Sequence, residues 1–355
     1  MLKPPFYYIG FNSILGGLFS IWLTLVYSCL ATIRMITELI RNGPKAYFSQ
    51  RDRNGPNRPK ILDTVGSHCF ISLKRSKIRL HYVEAGNKEK QIMLFVHGFP
   101  ECWFSWRFQM EEFKHDYHTI AVNMRGYGES DKPIGVENYS TNLIVDDVIE
   151  FIETIQTKSH PKIILVAHDW GGAIAYVIAH NRPDLIDRFI VMNAPHPYAW
   201  IQRVSNSWQQ FFSSWYVFFF NLPFLAEFSI QSNDFQIFDR LFGKYSQSEG
   251  DIDVYKHYFS QPYGISGPLN YYRAMLRGYG SNSKGYDNKI QPKTLILWGR
   301  DDVALVSDLA HDSSNMCVNA RVEYLDQCSH WIQIHRPMEV NSIMKKFLRN
   351  KKNDD

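Results

Sequence analysis

The chain has 355 residues, of which 45% are hydrophobic and 21% are charged, so it contains enough apolar sequence for a full-sized core. This composition excludes disorder of the whole chain. The net charge of +4 is too small to indicate a nucleic-acid partner. The five cysteines are widely spaced and form no C-x-x-C pair, so neither a disulfide framework nor a zinc site is predicted.

The amino-terminal stretch has the composition of a membrane segment. Residues 6–33 lie between Lys3 and Arg34, contain no charged side chain and are followed by a basic run. A spanning helix needs roughly 20 mostly apolar residues, and the positive-inside rule then places the rest of the chain in the cytosol. We predict a single-pass anchor over residues 1–41 and a basic linker over residues 42–66. The alternative is a signal peptide cleaved near Ala31, which would deliver the rest of the chain to the lumen.

The remaining sequence alternates between short apolar runs and helix-like segments. A β-hairpin is predicted around residues 75–77, and this alternation predicts a doubly wound, mostly parallel α/β sheet. We place the two parts of this core at residues 67–198 and 291–355. The aromatic, helix-like stretch 199–290 between them is predicted to be a helical cap. The buried strands are predicted at residues 92–96, 119–122, 163–167, 189–192, 294–298 and 321–325.

Active sites of open α/β sheets form at the carboxyl ends of the strands. After the run 163–167 comes Ala167-His168-Asp169-Trp170-Gly171-Gly172, in which small residues allow a sharp turn from strand to helix. This pattern is typical of a nucleophile elbow, with Asp169 as the nucleophile. The alternative is that Asp169 only caps the following helix.

Three other strand ends supply the groups that such a nucleophile needs. The loop His97-Gly98-Phe99-Pro100 follows the run 92–96, so the backbone N–H groups of Phe99 and Trp170 are the predicted oxyanion donors. His330 follows the last run and is the predicted general base. The acid comes from the adjacent pair Asp301 and Asp302, of which only one can face His330.

Five motifs together resemble those of the epoxide hydrolases with an α/β-hydrolase fold. The resemblance covers residues 70–348 and, with the anchor, is greatest to the membrane-bound animal branch that includes epoxide hydrolase 4. The motifs are His97-Gly98-Phe99-Pro100, His168-Asp169-Trp170-Gly171-Gly172, Asn193-Ala194-Pro195-His196-Pro197, Gly267-Pro268-Leu269-Asn270-Tyr271-Tyr272-Arg273 and Ser329-His330-Trp331.

The resemblance implies an α/β-hydrolase fold and the hydrolysis of epoxides to vicinal diols through an ester on Asp169. It implies Asp302 as the acid that orients His330, and Tyr216 and Tyr272 of the cap as the proton donors to the epoxide oxygen. It also implies that no cofactor or metal takes part, and that the membrane is that of the endoplasmic reticulum.

The cap is rich in aromatic residues, which indicates a lipophilic small-molecule epoxide, such as an epoxide of an unsaturated fatty acid. We predict Trp170, Trp215, Phe219 and Trp331 as substrate-binding side chains. The alternative is that most cap aromatics serve ordinary packing or dip into the bilayer.

Two other functions remain open. Haloalkane dehalogenases share the aspartate nucleophile and often the His-Asp-Trp-Gly sequence, but the position of their halide-binding Asn is occupied here by Phe99. A catalytically silent, membrane-tethered protein that binds a lipid or a partner would use the same fold. Protein partners are unknown from the sequence.

Overall fold

The computed structural model describes residues 6, 10, 13–246, 250–279 and 288–349. The predicted anchor, cap and second core part therefore each include some residues that lie outside the described ones. The described strands are β1 (Ser67–Ser72), β2 (Arg79–Ala85), β3 (Ile92–Val96), β4 (His118–Val122), β5 (Ile163–His168), β6 (Ile186–Met192), β7 (Lys293–Gly299) and β8 (Ala320–Leu325).

The helices of the core and the amino-terminal region flank or precede this sheet, and those between β6 and β7 form the inserted region. In chain order they are α1 (Ile14–Asn42), α2 (Pro44–Phe48), α3 (Arg107–Phe113), α4 (Thr141–Ile155), α5 (Asp169–Asn181), α6 (Pro197–Asn206), α7 (Trp208–Ser213), α8 (Trp215–Phe220), α9 (Leu225–Phe242), α10 (Asp251–Ser260), α11 (Ser266–Leu276), α12 (Asp308–Ser314), α13 (Ile332–His335) and α14 (Pro337–Arg349).

The eight strands form one sheet in the order β1-β2-β4-β3-β5-β6-β7-β8. The first two strands pair antiparallel, which confirms the predicted hairpin, and all pairs from β4 to β8 are parallel. All six predicted runs form strands, and every residue of β3, β4 and β5 is buried. The prediction that residues 321–325 are buried is wrong, because β8 is the edge strand of the sheet and only its Leu325 is buried. Strands covered on both faces read as continuous apolar runs, and this made them detectable in the sequence.

This topology brings the carboxyl ends of β3, β5, β7 and β8 to one edge of the sheet. Helices α6 to α11 occupy the interval between β6 and β7, where the sequence predicts a cap. Helix α9 is not continuous, because residues 232–235 depart from helical backbone angles.

The segment between α1 and β1 packs against the inserted helices. Its Arg53 side chain is 3% exposed and pairs with Asp234 of α9 and Asp253 of α10, through N–O distances of 2.7 and 2.8 Å. Tyr47 and Leu62 of the same segment are also buried. The basic stretch predicted as a linker is therefore docked on the cap along part of its length.

Helix α1 is long and apolar enough to cross a membrane. It extends beyond Arg34 to Asn42, well past the end of the uncharged stretch. One of its faces contacts the inserted helices, and the other is exposed.

Candidate active site

Asp169 lies at a strained turn between β5 and α5, where its backbone φ is +50°. A Cβ atom on Gly171 would lie 2.4 Å from the carbonyl oxygen of Val96, and one on Gly98 would lie 2.3 Å from the Cβ of Asp169. Both contacts are too close for any side chain, so glycine is required for the elbow to approach its neighbours. The strained turn and its close contact with the end of the neighbouring strand place the carboxylate of Asp169 at the edge of the sheet.

The carboxylate of Asp169 is directed at groups on other strand ends. The backbone N–H of Phe99 donates to its Oδ1 at 2.8 Å, and Nε2 of His330 lies 3.4 Å from its Oδ2. Trp170 is the second residue of α5, and the amides of a helix's first turn have no partner within the helix. These contacts differ from those of a residue that only caps α5.

His330 stands between two carboxylates. Its Nδ1 lies 2.7 Å from Oδ2 of Asp302, while its Nε2 faces Asp169. The side chain of Asp302 is fully buried, and its Oδ1 accepts the N–H groups of Ala304 and Leu305 at 2.8 and 3.0 Å. Asp301 is exposed. The structure therefore places Asp302, and not Asp301, against His330.

The two carboxylates shift the charges at this site. Burial alone would lower the pKa of His330, but Asp302 and Asp169 raise it to about 10. Burial alone would raise the pKa of Asp169, but the hydrogen bond and charge of His330 lower it below its ordinary value. The resting site thus holds an ionised Asp169 beside a protonated His330.

Two tyrosines of the inserted helices face this edge of the sheet. The ring of Tyr272 lies 5.1 Å from that of Trp170 and 5.3 Å from that of Phe99, measured between centroids, and Tyr216 lies 6.0 Å from Tyr272. Burial, and then the negative charge of Asp169, raise the pKa of both hydroxyls well above the ordinary value. Both therefore stay protonated at neutral pH and can donate a hydrogen bond.

Comparisons with known proteins match this arrangement. A family model described as alpha/beta hydrolase fold matches residues 91–337. The chain is 35% identical over 349 residues to epoxide hydrolase 2 of Caenorhabditis elegans, covering 95% of this chain and 94% of that protein. It is 34% identical over 331 residues to human epoxide hydrolase 4, covering 90% of each. The chain belongs to the epoxide hydrolase family of α/β hydrolases. The crystal structure of a Bacillus megaterium epoxide hydrolase in complex with an inhibitor superposes with a TM-score of 0.72 at 27% identity, over 79% of this chain and 100% of that one.

Within this family framework, the predicted substrate-binding residues separate into two groups. Trp170 contacts Tyr272 as described, and the ring of Trp331 lies 5.0 Å from that of His330. Trp215 instead lies 6.1 Å from Tyr27 of α1 and is 45% exposed. The structure therefore brings Trp170 and Trp331 to the catalytic groups and does not bring Trp215 there.

Helix geometry explains the different position of Trp215 and Phe219. Residues four apart share one face of a helix, so Trp215 and Phe219 form one face of α8 while Tyr216 and Phe220 form another. The ring centroid of Phe220 lies 5.0 Å from that of Tyr272 and 5.1 Å from that of Phe99. The ring of Phe219 instead contacts those of Trp215 and Phe220, at centroid distances of 6.0 and 5.8 Å. Phe220, which the sequence reasoning missed, is the aromatic residue of this pair that reaches the site.

Sequence reasoning also missed a buried network behind the site. Oε2 of Glu101 lies 2.6 Å from Nδ1 of His168 and accepts the N–H of Gly98 at 2.9 Å. The other ring nitrogen of His168 lies 3.0 Å from the carbonyl oxygen of His330, and Gln333 donates to Glu101 at 2.6 Å. Burial raises the pKa of Glu101, but the charge and hydrogen bond of His168 bring it below its ordinary value. This network joins the loop that carries Phe99 to the loop that carries His330.

One group among the described residues has the donor set of a metal site. Ring nitrogens of His68 and His81 and a carboxylate oxygen of Glu129 all lie within 4.8 Å of one another. However, His68 Nδ1 already lies 2.8 Å from His81 Nε2, and the remaining ring nitrogens are hydrogen-bonded to Leu62 and Asn123 at 2.9 Å. All four ring nitrogens are thus used in a hydrogen-bonded chain at the β1–β2 edge, which favours a structural role.

Proposed function

We propose that this chain hydrolyses lipophilic epoxides to vicinal diols through a covalent ester on Asp169. The observation that carries the proposal is the position of the Asp169 carboxylate, between the N–H of Phe99 and the ring of His330, with two protonated tyrosines above it. An aspartate suits this reaction because it leaves an ester, which water can hydrolyse. A serine at this position would form an ether, which water does not readily cleave.

In the first step, Asp169 opens the epoxide ring. Its Oδ1 is held by the N–H of Phe99, so Oδ2 is the attacking oxygen. The Oδ2–carbon bond forms as the ring carbon–oxygen bond breaks, and Tyr216 or Tyr272 gives its proton to the departing oxygen. Ring strain assists the step, and the second tyrosine stabilises the developing alkoxide by a hydrogen bond.

The loss of charge on Asp169 prepares the second step. Once Asp169 is an ester, it no longer raises the pKa of His330, so the ring releases a proton more easily. The released proton restores the hydroxyl of the tyrosine that gave up its own in the first step, so both tyrosines are again protonated. The neutral ring can then act as a base.

In the second step, water attacks the Cγ of the Asp169 ester while Nε2 of His330 takes its proton. The charge that develops on Oδ1 is stabilised by the N–H of Phe99, and we assign Trp170 as the second donor. The Cγ–Oδ2 bond then breaks, and the departing oxygen takes the proton that remained on the attacking water. The diol leaves with the oxygen that came from Asp169, and the site returns to an ionised Asp169 beside a protonated His330. Asp302 keeps the histidine oriented throughout.

The cap chemistry favours an apolar substrate. Phe220, Tyr272, Phe99, Trp170 and Trp331 surround the catalytic groups with aromatic surface. We include epoxides of unsaturated fatty acids in the proposed substrate class. We also propose that the protein is attached through α1 to the endoplasmic reticulum membrane, with its catalytic part on the cytosolic side. Protease digestion of sealed microsomes tests this orientation, because a protected catalytic part would contradict it.

The test is a side-by-side assay of the purified full chain on lipophilic epoxides and haloalkanes, with diol and halide both measured. We expect diol formation that is lost in Asp169→Ala and retained in the exposed neighbour control Asp301→Asn. Halide release without diol would assign the chain to dehalogenation instead. Turnover of neither class would favour a silent binding protein.

A further inference from the structure

One face of α1 presents a continuous apolar stripe to solvent. Its large hydrophobic side chains are each more than half exposed, and they recur at intervals of one, three, four and eight residues, which places them on one side of the helix. A contiguous exposed apolar surface of this kind marks a contact with a partner or a membrane. The stripe consists of Ile14, Leu15, Leu18, Ile21, Trp22, Leu25, Ile33, Ile36 and Ile40. Leu30 is also more than half exposed and lies beside the stripe.

The opposite face of α1 is docked on the cap. The ring of Phe19 lies 6.3 Å from Phe211 of α7, and the ring of Tyr27 lies 6.5 Å from Phe218 of α8. Further along, Glu38 pairs with Arg240 of α9 at 3.7 Å. The contacts thus extend from residue 19 to residue 38, or about 28 Å at 1.5 Å per residue.

This docked length nearly equals the thickness of the hydrocarbon core of a bilayer, which is roughly 30 Å. If α1 crossed the bilayer while docked, the cap would lie at hydrocarbon depth beside it. Arg240, which is 51% exposed, would then lie near one boundary of that layer, and the polar parts of α6 and α7 would lie within it. Polar and charged groups are costly there, so a crossing helix would have to leave the cap.

The part of α1 that follows the uncharged stretch is amphipathic. Arg34, Glu38 and Arg41 fall on the side of the helix opposite the stripe, as their spacing from Leu23 shows. Ile36 and Ile40 continue the stripe beyond Arg34. From residue 14 to residue 40 the stripe is about 39 Å long, which exceeds the hydrocarbon thickness. An apolar stripe on a helix with charges on its other face is typical of a helix that lies in the membrane interface.

The cap also carries exposed aromatic side chains close to the docked face of α1. Phe212 is 58% exposed and Trp215 is 45% exposed, and Trp215 contacts Tyr27 of α1. Tryptophan side chains favour the level of the lipid headgroups. The exposed basic residue Lys45 follows α1 on the same polypeptide segment, where it can meet anionic headgroups. Arg51 is also exposed, but it pairs with Asp253 of α10 at 3.5 Å.

From these observations we propose that α1 lies along the membrane surface, between the cap and the lipid, with its stripe in the outer part of one leaflet. The occupant of this surface is therefore a phospholipid bilayer. Helix α8 would separate the bilayer from the catalytic groups, because Trp215 lies on its lipid side and Tyr216 on its catalytic side. This inference rests on the membrane attachment in the proposed function, and it replaces a crossing geometry with an in-plane one.

The first test measures the depth of stripe residues in vesicles of phosphatidylcholine, with and without phosphatidylserine. Cysteines are introduced one at a time as Leu18→Cys, Leu25→Cys and Ile36→Cys. The background carries Cys29→Ser and Cys69→Ser, because the other three native cysteines are buried. Each introduced cysteine carries a fluorophore that is quenched by lipids labelled at different depths. An in-plane helix predicts the same shallow depth for all three. Ser20→Cys, on the cap side, is the matched control and should be quenched less. A position of Leu25 near the bilayer centre, with Leu18 and Ile36 much closer to the surface, would show a crossing helix and overturn the proposal.

The second test uses charges placed beyond the uncharged stretch. The double variant Ile36→Glu with Ile40→Glu removes two stripe residues that a crossing anchor would not need. We expect vesicle binding to fall by about tenfold or more, whereas the off-stripe control Thr37→Glu should bind like the unchanged chain. Equal binding of all three proteins would overturn the proposal.

Two further readouts keep these tests independent of catalysis and of other partners. Diol formation from a small water-soluble epoxide should be unchanged in every stripe variant. If the unchanged chain forms no diol, the proposed function is wrong, but the vesicle measurements still test the position of α1. Chemical cross-linking in the presence of vesicles detects a second copy of the chain. Dimers joined through Leu25 in place of lipid contact would contradict the bilayer as occupant.

Discussion

Replacing Asp302 by Asn should separate the two chemical steps of the reaction. The Asp302 carboxylate is fully buried and contacts Nδ1 of His330 at 2.7 Å, where it orients the ring and stabilises its charged form. The first step uses Asp169, the N–H of Phe99 and the cap tyrosines, none of which Asp302 touches in the contacts described above. The variant should therefore form the ester and then hydrolyse it slowly.

The size of the effect follows from the role of the lost group. An acid that orients and charges a catalytic histidine contributes on the order of 100- to 10,000-fold, which corresponds to about 3 to 5 kcal/mol at the transition state. We expect ester hydrolysis to slow by that factor and ester formation to change by less than about tenfold. Asp302 also accepts the amide of Asn193 at 2.7 Å, so the fold of each variant is checked by its unfolding curve.

The assay mixes enzyme with an excess of epoxide and follows both the epoxide and the mass of the intact protein. Asp302→Asn should consume about one epoxide per enzyme and accumulate a covalent adduct on Asp169. The exposed neighbour gives the matched control, since Asp301→Asn should turn over like the unchanged chain. If a folded Asp302→Asn accumulates no adduct, or if Asp301→Asn shows the larger effect, the assignment of Asp302 is wrong.

Three other substitutions or conditions test separate parts of the site. Tyr272→Phe removes one proton donor and should slow ester formation by roughly 10- to 100-fold. In single-turnover mass spectrometry no covalent adduct should then accumulate, and fast adduct formation would contradict the role of Tyr272. Glu101→Gln breaks a buried pair with His168 and should lower the free energy of unfolding by about 3 kcal/mol, whereas Glu111→Gln, in an exposed pair, should change it by less than about 1 kcal/mol in urea titrations. The pKa of His330 is raised in the folded state from 6.5 to about 10, so its stabilising pairing is complete below pH 6.5 and is lost as the pH rises towards 10. The free energy of unfolding should fall across that range, and a fall that is equally steep in Asp302→Asn would contradict this cause.

Much of the fold could be predicted from the sequence because local signals were strong. The central strands are buried on both faces and appear as unbroken apolar runs, and the small residues around Asp169 mark the elbow. The position of His330 after the last strand followed from the order of the elements. These features depend on neighbouring residues, which a sequence displays directly.

Other features depend on three-dimensional neighbours and could not be predicted. Helix α8 has only six residues, too few for periodicity to show that Phe220 and not Phe219 faces the site. The choice between the adjacent aspartates depends on a tight turn, in which the amides of Ala304 and Leu305 hold Asp302. The buried pair of Glu101 with a histidine 67 residues away gives no signal in a single sequence.

The covalent ester on Asp169 can be tested most directly by tracing oxygen in a single turnover. Enzyme in excess over a lipophilic epoxide is mixed in water enriched in oxygen-18, and the diol and the peptide containing Asp169 are analysed by mass spectrometry. We predict that the diol carries no heavy oxygen and that the label enters the Asp169 carboxylate. Heavy oxygen in the diol of the first turnover would show that water opens the ring directly, and it would contradict the ester mechanism.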